Sequence, residues 1–119
     1  MSYDTENIFA KILRGEIPCN KHDECEYTLA FHDIAPQAQT HILVIPKGHY
    51  VDMADFSQNA SAEEQSAFIA AIGRAARLAG LEDGGYRIIA NSGENAHQEV
   101  PHLHMHILGG EPIGPLRVR

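Results

Sequence analysis

The chain of 119 residues has the length of one compact domain, and its 44% hydrophobic and 21% charged residues are ordinary for a globular protein. The net charge of −7 argues against a nucleic-acid groove or a membrane surface, because both need clustered lysine and arginine. No apolar run reaches the ~20 residues that cross a bilayer, and the start of the chain lacks the pattern of a signal peptide. We therefore expect a single cytoplasmic domain, residues 1–119, with no nucleic-acid or membrane partner.

The first half of the chain predicts a short helix followed by two strands. Residues 7–14 have the apolar spacing of a helix, which Gly15 ends. The apolar stripe of this helix consists of Ile8, Phe9, Ile12 and Leu13. Residues 27–32 alternate well enough for a strand, and residues 33–36 predict a turn because proline restricts the residue before it. Residues 40–45 are rich in β-branched side chains and predict a second strand.

The second half predicts one long helix and two further strands. Ser61 and Glu64 have the spacing of a capping box, and the apolar positions that follow keep a helical period until Gly80. Residues 85–90 predict a strand, and after a polar loop residues 102–108 predict the last one. Four strands with one long and one short helix indicate an α+β domain with a mainly antiparallel sheet.

The last predicted strand carries a histidine at every second position, namely His102, His104 and His106. Successive side chains of a strand face opposite sides of the sheet, so the three imidazoles share one face. The side chains that face the other way are Leu103, Met105 and Ile107. We expect this apolar set to pack in the core and the imidazoles to face a cleft.

Three interpretations of the histidine face remain open from the residues alone. The imidazoles could be ordinary polar groups satisfied by their neighbours. Two of them could bind one zinc ion with a third ligand from elsewhere, although the outer pair lies roughly 13 Å apart and cannot share it. The interpretation that we favour is nucleotide chemistry, because a neutral imidazole is a good nucleophile towards phosphorus. Flanking imidazoles can donate hydrogen bonds to phosphate oxygens or move protons.

Residues 102–110 match the His-x-His-x-His-x-x signature of the histidine triad (HIT) superfamily. Their last three residues, Leu-Gly-Gly, resemble its Hint branch, the nucleoside phosphoramidases. The resemblance extends through most of the chain, over residues 8–12, 16–18, 30–37, 40–47 and 85–88. It implies a HIT-like fold, a purine nucleotide substrate resembling AMP, and a homodimer in which one sheet continues across both subunits.

The resemblance implies a role for four histidines. His104, the middle member of the triad, is the expected nucleophile, which would hold a nucleoside monophosphate covalently. His106 would bind phosphate oxygens, and His102 would support the orientation of its neighbours. His41 matches the fourth histidine of the family's site.

The same resemblance outlines a nucleotide site. Asp33 matches the residue that binds the ribose hydroxyls, and Ile34 is expected against the base. The rest of the base pocket is expected from Ile8, Phe9, Ile12 and Phe31. The phosphate-contacting segment is expected to contain Asn91, His97, Gln98 and Glu99. Without the resemblance, Asp33 and Asn91 would be interpreted as turn residues and the apolar set as plain core.

Two positions depart from the family's pattern. Glu99 stands where many Hint proteins have a serine, three positions before the first triad histidine. A glutamate could protonate a leaving amine only if its pKa is raised, and otherwise its charge would repel phosphate unless it points away. His97 stands where glycine is common, which puts amide donation by this loop in question. We expect the reaction to be kept, whereas these departures put the leaving-group preference in question.

No cofactor is expected, metal ions included. Some triad proteins carry a structural zinc bound by cysteines in the first helix, but residues 7–10 of this chain have none. The two cysteines, Cys19 and Cys25, lack the spacing of a metal knuckle. Imidazoles and backbone amides can stabilise the developing charge on phosphate without a metal.

The expected reaction is a two-step hydrolysis. His104 attacks the α-phosphorus of a nucleoside phosphoramidate and expels an amine, and water then releases the nucleoside monophosphate. One alternative is cleavage of dinucleoside polyphosphates, against which the Leu-Gly-Gly segment argues. The others are a nucleotide-binding regulatory partner with little turnover and the metal-dependent hydrolase that the zinc interpretation implies.

Overall fold

Five strands form one antiparallel sheet in the computed structural model, which describes residues 3–116. The strands are β1 (Lys21–Glu24), β2 (Thr28–His32), β3 (Thr40–Pro46), β4 (Tyr86–Ala90) and β5 (Met105–Gly109). They lie in the order β1-β2-β3-β5-β4, and every neighbouring pair is antiparallel. The last strand of the chain, β5, therefore lies inside the sheet between β3 and β4.

Three α-helices accompany the sheet, namely α1 (Ile8–Leu13), α2 (Met53–Asn59) and α3 (Ala62–Leu78). A short 3-10 helix, Glu94–Ala96, lies in the loop between β4 and β5. The predicted α+β class with a mainly antiparallel sheet is confirmed. Between residues 3 and 116, none of the helices combines the length and the apolar composition that crossing a membrane requires.

The long helix begins as the sequence predicts. The Ser61 hydroxyl accepts a hydrogen bond from the Glu64 amide (3.1 Å), and the Glu64 carboxylate accepts one from the Ser61 amide (3.0 Å). This reciprocal pair satisfies two amides that have no partner within the helix. At the other end, Gly80 follows the C-cap with a φ of 73°, a left-handed conformation that glycine adopts readily.

The sequence analysis missed strand β1 and helix α2 because both carry weak signals. Strand β1 has the sequence Lys-His-Asp-Glu, in which no apolar residue marks a buried face. Helix α2 buries only Phe56, so it has no apolar stripe, although Asp52 caps its N-terminus by accepting from the Asp55 amide. Strand β1 is recognisable only from its pairing with β2.

The two faces of the sheet bury different clusters. Helices α2 and α3 cover one face, where the sheet side contributes Ala30, Ile42, Val44, Leu103, Met105 and Ile107. On the other face, the cluster that includes α1 consists of Phe9, Leu29, Phe31, Leu43 and Ile45. The prediction that Leu103, Met105 and Ile107 pack in the core is thereby confirmed. The histidines lie on the opposite side of the same segment.

Regular pairing begins later than the sequence predicts, at Met105 rather than at His102. Met105 lies opposite Val44 of β3, and continuing that register places Leu103 opposite Pro46. Proline has no N–H to donate, so the ladder cannot continue there. The segment before β5 is held instead by other bonds, including one from the Leu103 amide to the Tyr50 carbonyl (2.8 Å).

Candidate active site

A cavity of about 580 Å³ lies on the α1 side of the sheet. Its apolar part is lined by Ile8, Phe9, Ile12, Ile17, Phe31 and Leu43. Its polar part is lined by Asp33, His41, Asn91, His97, Glu99, His104 and His106. A volume of this size is typical of small-molecule sites. Of the residues that the sequence analysis placed in the site, only His102 and Gln98 do not line this cavity. The expectation that all three imidazoles face a cleft is wrong for His102, because its ring is buried and bonds to the Pro46 carbonyl.

His104 is held with one ring nitrogen free. Its Nδ1 lies 2.7 Å from the carbonyl oxygen of His102, and since a carbonyl can only accept, Nδ1 carries the proton. The ring is buried beside Phe9, with the two ring centres 4.9 Å apart and nearly perpendicular. Burial lowers the pKa of His104 below its usual value. At neutral pH the ring is therefore uncharged, and Nε2 keeps its lone pair.

His41 and His106 form a hydrogen-bonded pair whose tautomers follow from their partners. The backbone amide of Gln37 donates to Nδ1 of His41 (3.0 Å), which leaves the proton of His41 on Nε2. That Nε2 lies 2.9 Å from Nδ1 of His106, to which it donates, and 3.4 Å from a carboxylate oxygen of Asp33. His106 therefore carries its own proton on Nε2, where it remains available as a donor.

Burial keeps this pair uncharged as well. It lowers the pKa of His106 to about 4, and the neighbouring imidazoles of His104 and His41 act in the same direction. It also lowers the pKa of His41, although the carboxylate of Asp33 opposes that shift. Near neutral pH these histidines are therefore hydrogen-bonding groups rather than cations.

Asp33, His41 and His106 bring three atoms of metal-ligand type within 4.8 Å of one another. Ligation by Nε2 of His41 would require its proton to move to Nδ1, where it would face the amide hydrogen of Gln37. The geometry of the three residues therefore fits a hydrogen-bonded pair with an acidic neighbour better than a metal site.

Asp33 makes the bond of a turn and also faces the cavity. One carboxylate oxygen accepts from the Ala35 amide (2.8 Å), which is the bond of a turn. The other lies beside His41 in the cavity. The next residue, Ile34, lines the cavity and is 92% exposed. Residues 3–116 therefore leave this large apolar side chain almost uncovered.

The loop between β4 and β5 forms one wall of the cavity. Asn91 donates from its side chain to the Ala96 carbonyl (2.8 Å) and lines the cavity at the start of the loop. His97 has a φ of 58°, the left-handed conformation that favours glycine. Its ring lies 3.0 Å from the Glu99 carboxylate, and both side chains are largely exposed. The Glu99 carboxylate is thus paired with a loop histidine.

Gln98 organises the loop from behind the cavity wall. Its side-chain amide contacts three backbone groups, namely the amide of Gly93 and the carbonyls of Val51 and Val100. Its backbone amide also donates to the Gly93 carbonyl (3.1 Å). These bonds use its polar groups within the protein.

The sequence analysis missed two residues that hold the site histidines. The amide of Gln37 sets the tautomer of His41, and the hydroxyl of Tyr3 binds the ring of His102. Gln37 lies within a segment that resembles the family, but a backbone contact leaves no trace in residue type. Tyr3 and His102 are 99 positions apart in the chain, and no periodic pattern connects such positions.

The charge of the cavity wall is unusual for a phosphate-binding site. Among the described residues, neither lysine nor arginine lines it, whereas the carboxylates of Asp33 and Glu99 both do. Hydrogen-bond donors on this wall are therefore imidazole and amide groups. Such a wall suits an anion of low charge better than one of high charge.

An antiparallel α+β fold with imidazoles facing a cavity defines a protein of the histidine triad class. Residues 14–113 match the HIT domain model, and the chain belongs to the HIT family. It is 59% identical over 115 residues to an uncharacterised 13.2 kDa HIT-like protein of Azospirillum brasilense, covering 97% of this chain and 94% of that protein.

Two further comparisons match proteins whose names state an activity. The chain is 44% identical over 114 residues to the purine nucleoside phosphoramidase of Escherichia coli K12, covering 93% of this chain and 92% of that protein. The solved structure of a HIT family hydrolase from Legionella pneumophila superposes with a TM-score of 0.83 at 38% identity, covering 90% of this chain and 95% of the other. At the general level, the chain is a HIT-family hydrolase with a nucleotide-binding fold.

Proposed function

We propose that this protein is a purine nucleoside phosphoramidase, which hydrolyses the P–N bond of a nucleoside phosphoramidate through a nucleotidyl-His104 intermediate. One observation carries the proposal: a neutral His104 whose Nδ1 is fixed by a carbonyl and whose Nε2 is free beside a cavity. The name of the Escherichia coli relative supports this choice of reaction.

In the first step, Nε2 of His104 attacks the α-phosphorus and the P–N bond breaks. The departing nitrogen keeps the bonding electron pair and takes up a proton from solvent, so that an amine leaves, and the water that attacks in the second step returns a proton to solvent. The nucleotidylated ring keeps the proton on Nδ1, and the hydrogen bond that this N–H donates to the His102 carbonyl stabilises the positive charge that the ring gains. In the second step, water attacks phosphorus and releases the nucleoside monophosphate, and His104 returns to its neutral form.

The non-bridging phosphate oxygens bind to uncharged donors in this proposal. His106 offers its Nε2 proton, and His41 fixes that tautomer by donating to the other ring nitrogen. Asn91 extends the donor set from the loop, and Gln98 holds the loop through its bonds to backbone groups. Glu99 lines the cavity and bonds to the ring of His97, and in this proposal its carboxylate lies on the side of the leaving amine, away from the phosphate oxygens.

The nucleoside occupies the other end of the cavity. Asp33 accepts hydrogen bonds from the ribose hydroxyls through the carboxylate that also faces His41. The base lies against the exposed side chain of Ile34. The remaining apolar contacts to the base come from Ile8, Phe9, Ile12 and Phe31. A flat purine buries more apolar surface here than a pyrimidine does.

The charge of the wall favours a phosphoramidate over a dinucleoside polyphosphate. A nucleoside phosphoramidate, in which phosphorus has one ester bond and one P–N bond, carries one negative charge near the histidines, whereas a polyphosphate chain carries several. Among residues 3–116, no lysine or arginine lines the cavity, whereas the carboxylates of Asp33 and Glu99 do. These carboxylates repel additional phosphate charge. We therefore favour P–N cleavage over the polyphosphate reaction.

The test traps the intermediate and compares two substrates. Purified protein is mixed with a slowly hydrolysed adenosine phosphoramidate and analysed by intact mass and peptide mapping. We expect an added nucleoside monophosphate on His104, and a kcat/KM for the phosphoramidate well above that for a diadenosine polyphosphate. Absence of an adduct on His104, or a preference for the polyphosphate, would reject the proposed reaction.

We also propose that the protein is a homodimer joined through β4. This strand is at the edge of the sheet, so one side of its backbone has no strand partner within residues 3–116. Its side chains Tyr86 and Ile88 are 40% and 50% exposed. An open apolar edge strand pairs readily with another chain, and proteins that stay monomeric usually protect it with charge or proline. A second copy that places its own β4 alongside would pair with the open backbone edge and cover the exposed side chains of Tyr86 and Ile88.

A charge on this edge is expected to separate the subunits. Ile88→Asp places a carboxylate where the two copies of β4 would meet, and we expect a monomer at micromolar concentration by sedimentation velocity. Leu78→Asp is the matched control, because Leu78 is similarly exposed (59%) but lies on α3. A monomeric wild-type protein, or an Ile88→Asp dimer, would refute this assembly.

A further inference from the structure

Tyr3 binds the triad histidine that does not line the cavity. The His102 residue is completely buried (0% exposed), and its Nε2 donates to the carbonyl of Pro46 (2.9 Å). Its Nδ1 therefore carries a lone pair, and the Tyr3 hydroxyl donates to that atom at 2.5 Å. Tyr3 is thus the partner that satisfies the second ring nitrogen of a buried imidazole.

The ring of His102 connects the segment before β5 to β3. The backbone pairing of β5 with β3 ends at Met105, which lies opposite Val44. Beyond that point, the bond from the His102 ring to the Pro46 carbonyl holds the segment against β3. The backbone carbonyl of the same residue accepts the Nδ1 proton of His104. Any displacement of His102 therefore moves the group that orients the ring of His104.

The segment that carries Tyr3 is itself well anchored. The phenol ring stacks on His49, with ring centres 4.3 Å apart and planes 7° from parallel. The side-chain amide of Asn7 donates to the Asp4 carbonyl (2.7 Å), and its oxygen accepts from the Ala10 amide (2.9 Å) to cap α1. These contacts fix the hydroxyl of Tyr3 relative to α1.

We propose that Tyr3 is a positioning residue, whose hydroxyl holds the ring of His102 and thereby the orientation of the His104 imidazole. The proposal rests on the nucleophilic role proposed for His104. Tyr3 does not line the cavity, so it contacts neither the base nor the phosphate. Its effect falls on the chemical step and leaves nucleotide binding unchanged.

The test removes only the hydroxyl. Tyr3→Phe keeps the ring and its stacking on His49 but leaves Nδ1 of His102 as a buried acceptor without a donor. We expect kcat to fall about tenfold with KM unchanged, because a buried polar atom without its partner destabilises the native arrangement. In ¹⁵N NMR spectra of the histidine rings, we expect the Nδ1 resonances of His102 and His104 to shift.

Tyr27→Phe is the matched control, because it removes a tyrosine hydroxyl away from the cavity and the triad. The control is expected to keep wild-type kcat and wild-type histidine resonances. Wild-type values in Tyr3→Phe, or equal losses in both variants, would overturn the positioning role. If the wild-type protein has no phosphoramidase activity, the proposed function fails, and the ring resonances in Tyr3→Phe still decide the role of Tyr3.

Discussion

Replacement of His104 by alanine is expected to lower kcat for a nucleoside phosphoramidate by roughly 10⁴-fold or more. The reason is that the variant removes the atom that we propose as the nucleophile, and loss of a nucleophile has effects of this order or greater in enzymes that act through covalent intermediates. The imidazole of His104 is held by the carbonyl of His102 with its second nitrogen free. Steady-state hydrolysis and mass spectrometry of the intermediate measure the effect.

A histidine outside the cavity provides the control for this loss. His22→Ala removes an imidazole whose Nε2 donates to the Ala75 carbonyl (2.9 Å), away from the cavity lining. We expect the His22 variant to keep turnover and the His104 variant to keep nucleotide binding while losing the adduct. Turnover that survives in His104→Ala would show that this ring is not the nucleophile. A wild-type protein that binds nucleotide without turnover would instead favour the regulatory alternative.

The protein is expected to lose stability as the pH falls from about 6.5 to about 4. Burial lowers the pKa of His102 from 6.5 to about 4, so the folded state binds a proton less readily than the unfolded state. The stabilisation is complete above the unfolded value and is lost as the pH falls through this window. A shift of this size corresponds to about 3 kcal/mol at pH 4 for this residue. Denaturant unfolding at a series of pH values measures it.

The variant His102→Gln separates this effect from the general acid sensitivity of a protein. It is expected to be less stable than the wild type at pH 7, because the bond to the Pro46 carbonyl is altered. Its stability should depend less steeply on pH between 6.5 and 4. His97→Gln replaces an exposed histidine and should keep the wild-type slope. If the free energies of unfolding of the wild type and His102→Gln changed equally with pH between 6.5 and 4, His102 would not be the cause of the stability loss.

The triad face could be predicted from sequence because its signal is local. Histidines at every second position, with Leu103, Met105 and Ile107 between them, require the imidazoles and the apolar side chains to face opposite sides of the strand. The structure confirms the core side of this pattern. The start of β5 could not be predicted, because it depends on Pro46 lying opposite Leu103, and only the pairing of distant strands shows that.

The hydrogen-bond partners of the histidines were beyond sequence reasoning. The tautomer of His41 follows from the amide of Gln37, a group that every residue except proline carries. Gln98 illustrates the same limit, because its residue type suits a phosphate contact, yet its side chain bonds to loop backbone. Which of several polar neighbours a side chain contacts is decided by tertiary geometry, which residue types alone do not encode.

The cavity wall, which has no lysine or arginine among residues 3–116, also bears on product release in the proposed reaction. The released nucleoside monophosphate carries two negative charges near neutral pH, one more than the phosphoramidate that entered. Within residues 3–116, the carboxylates of Asp33 and Glu99 line the cavity, and no lysine or arginine side chain lines it to bind the extra negative charge. In the proposed reaction, the product is therefore expected to dissociate more readily than the substrate, because the electrostatics that admit a singly charged ester repel a doubly charged one.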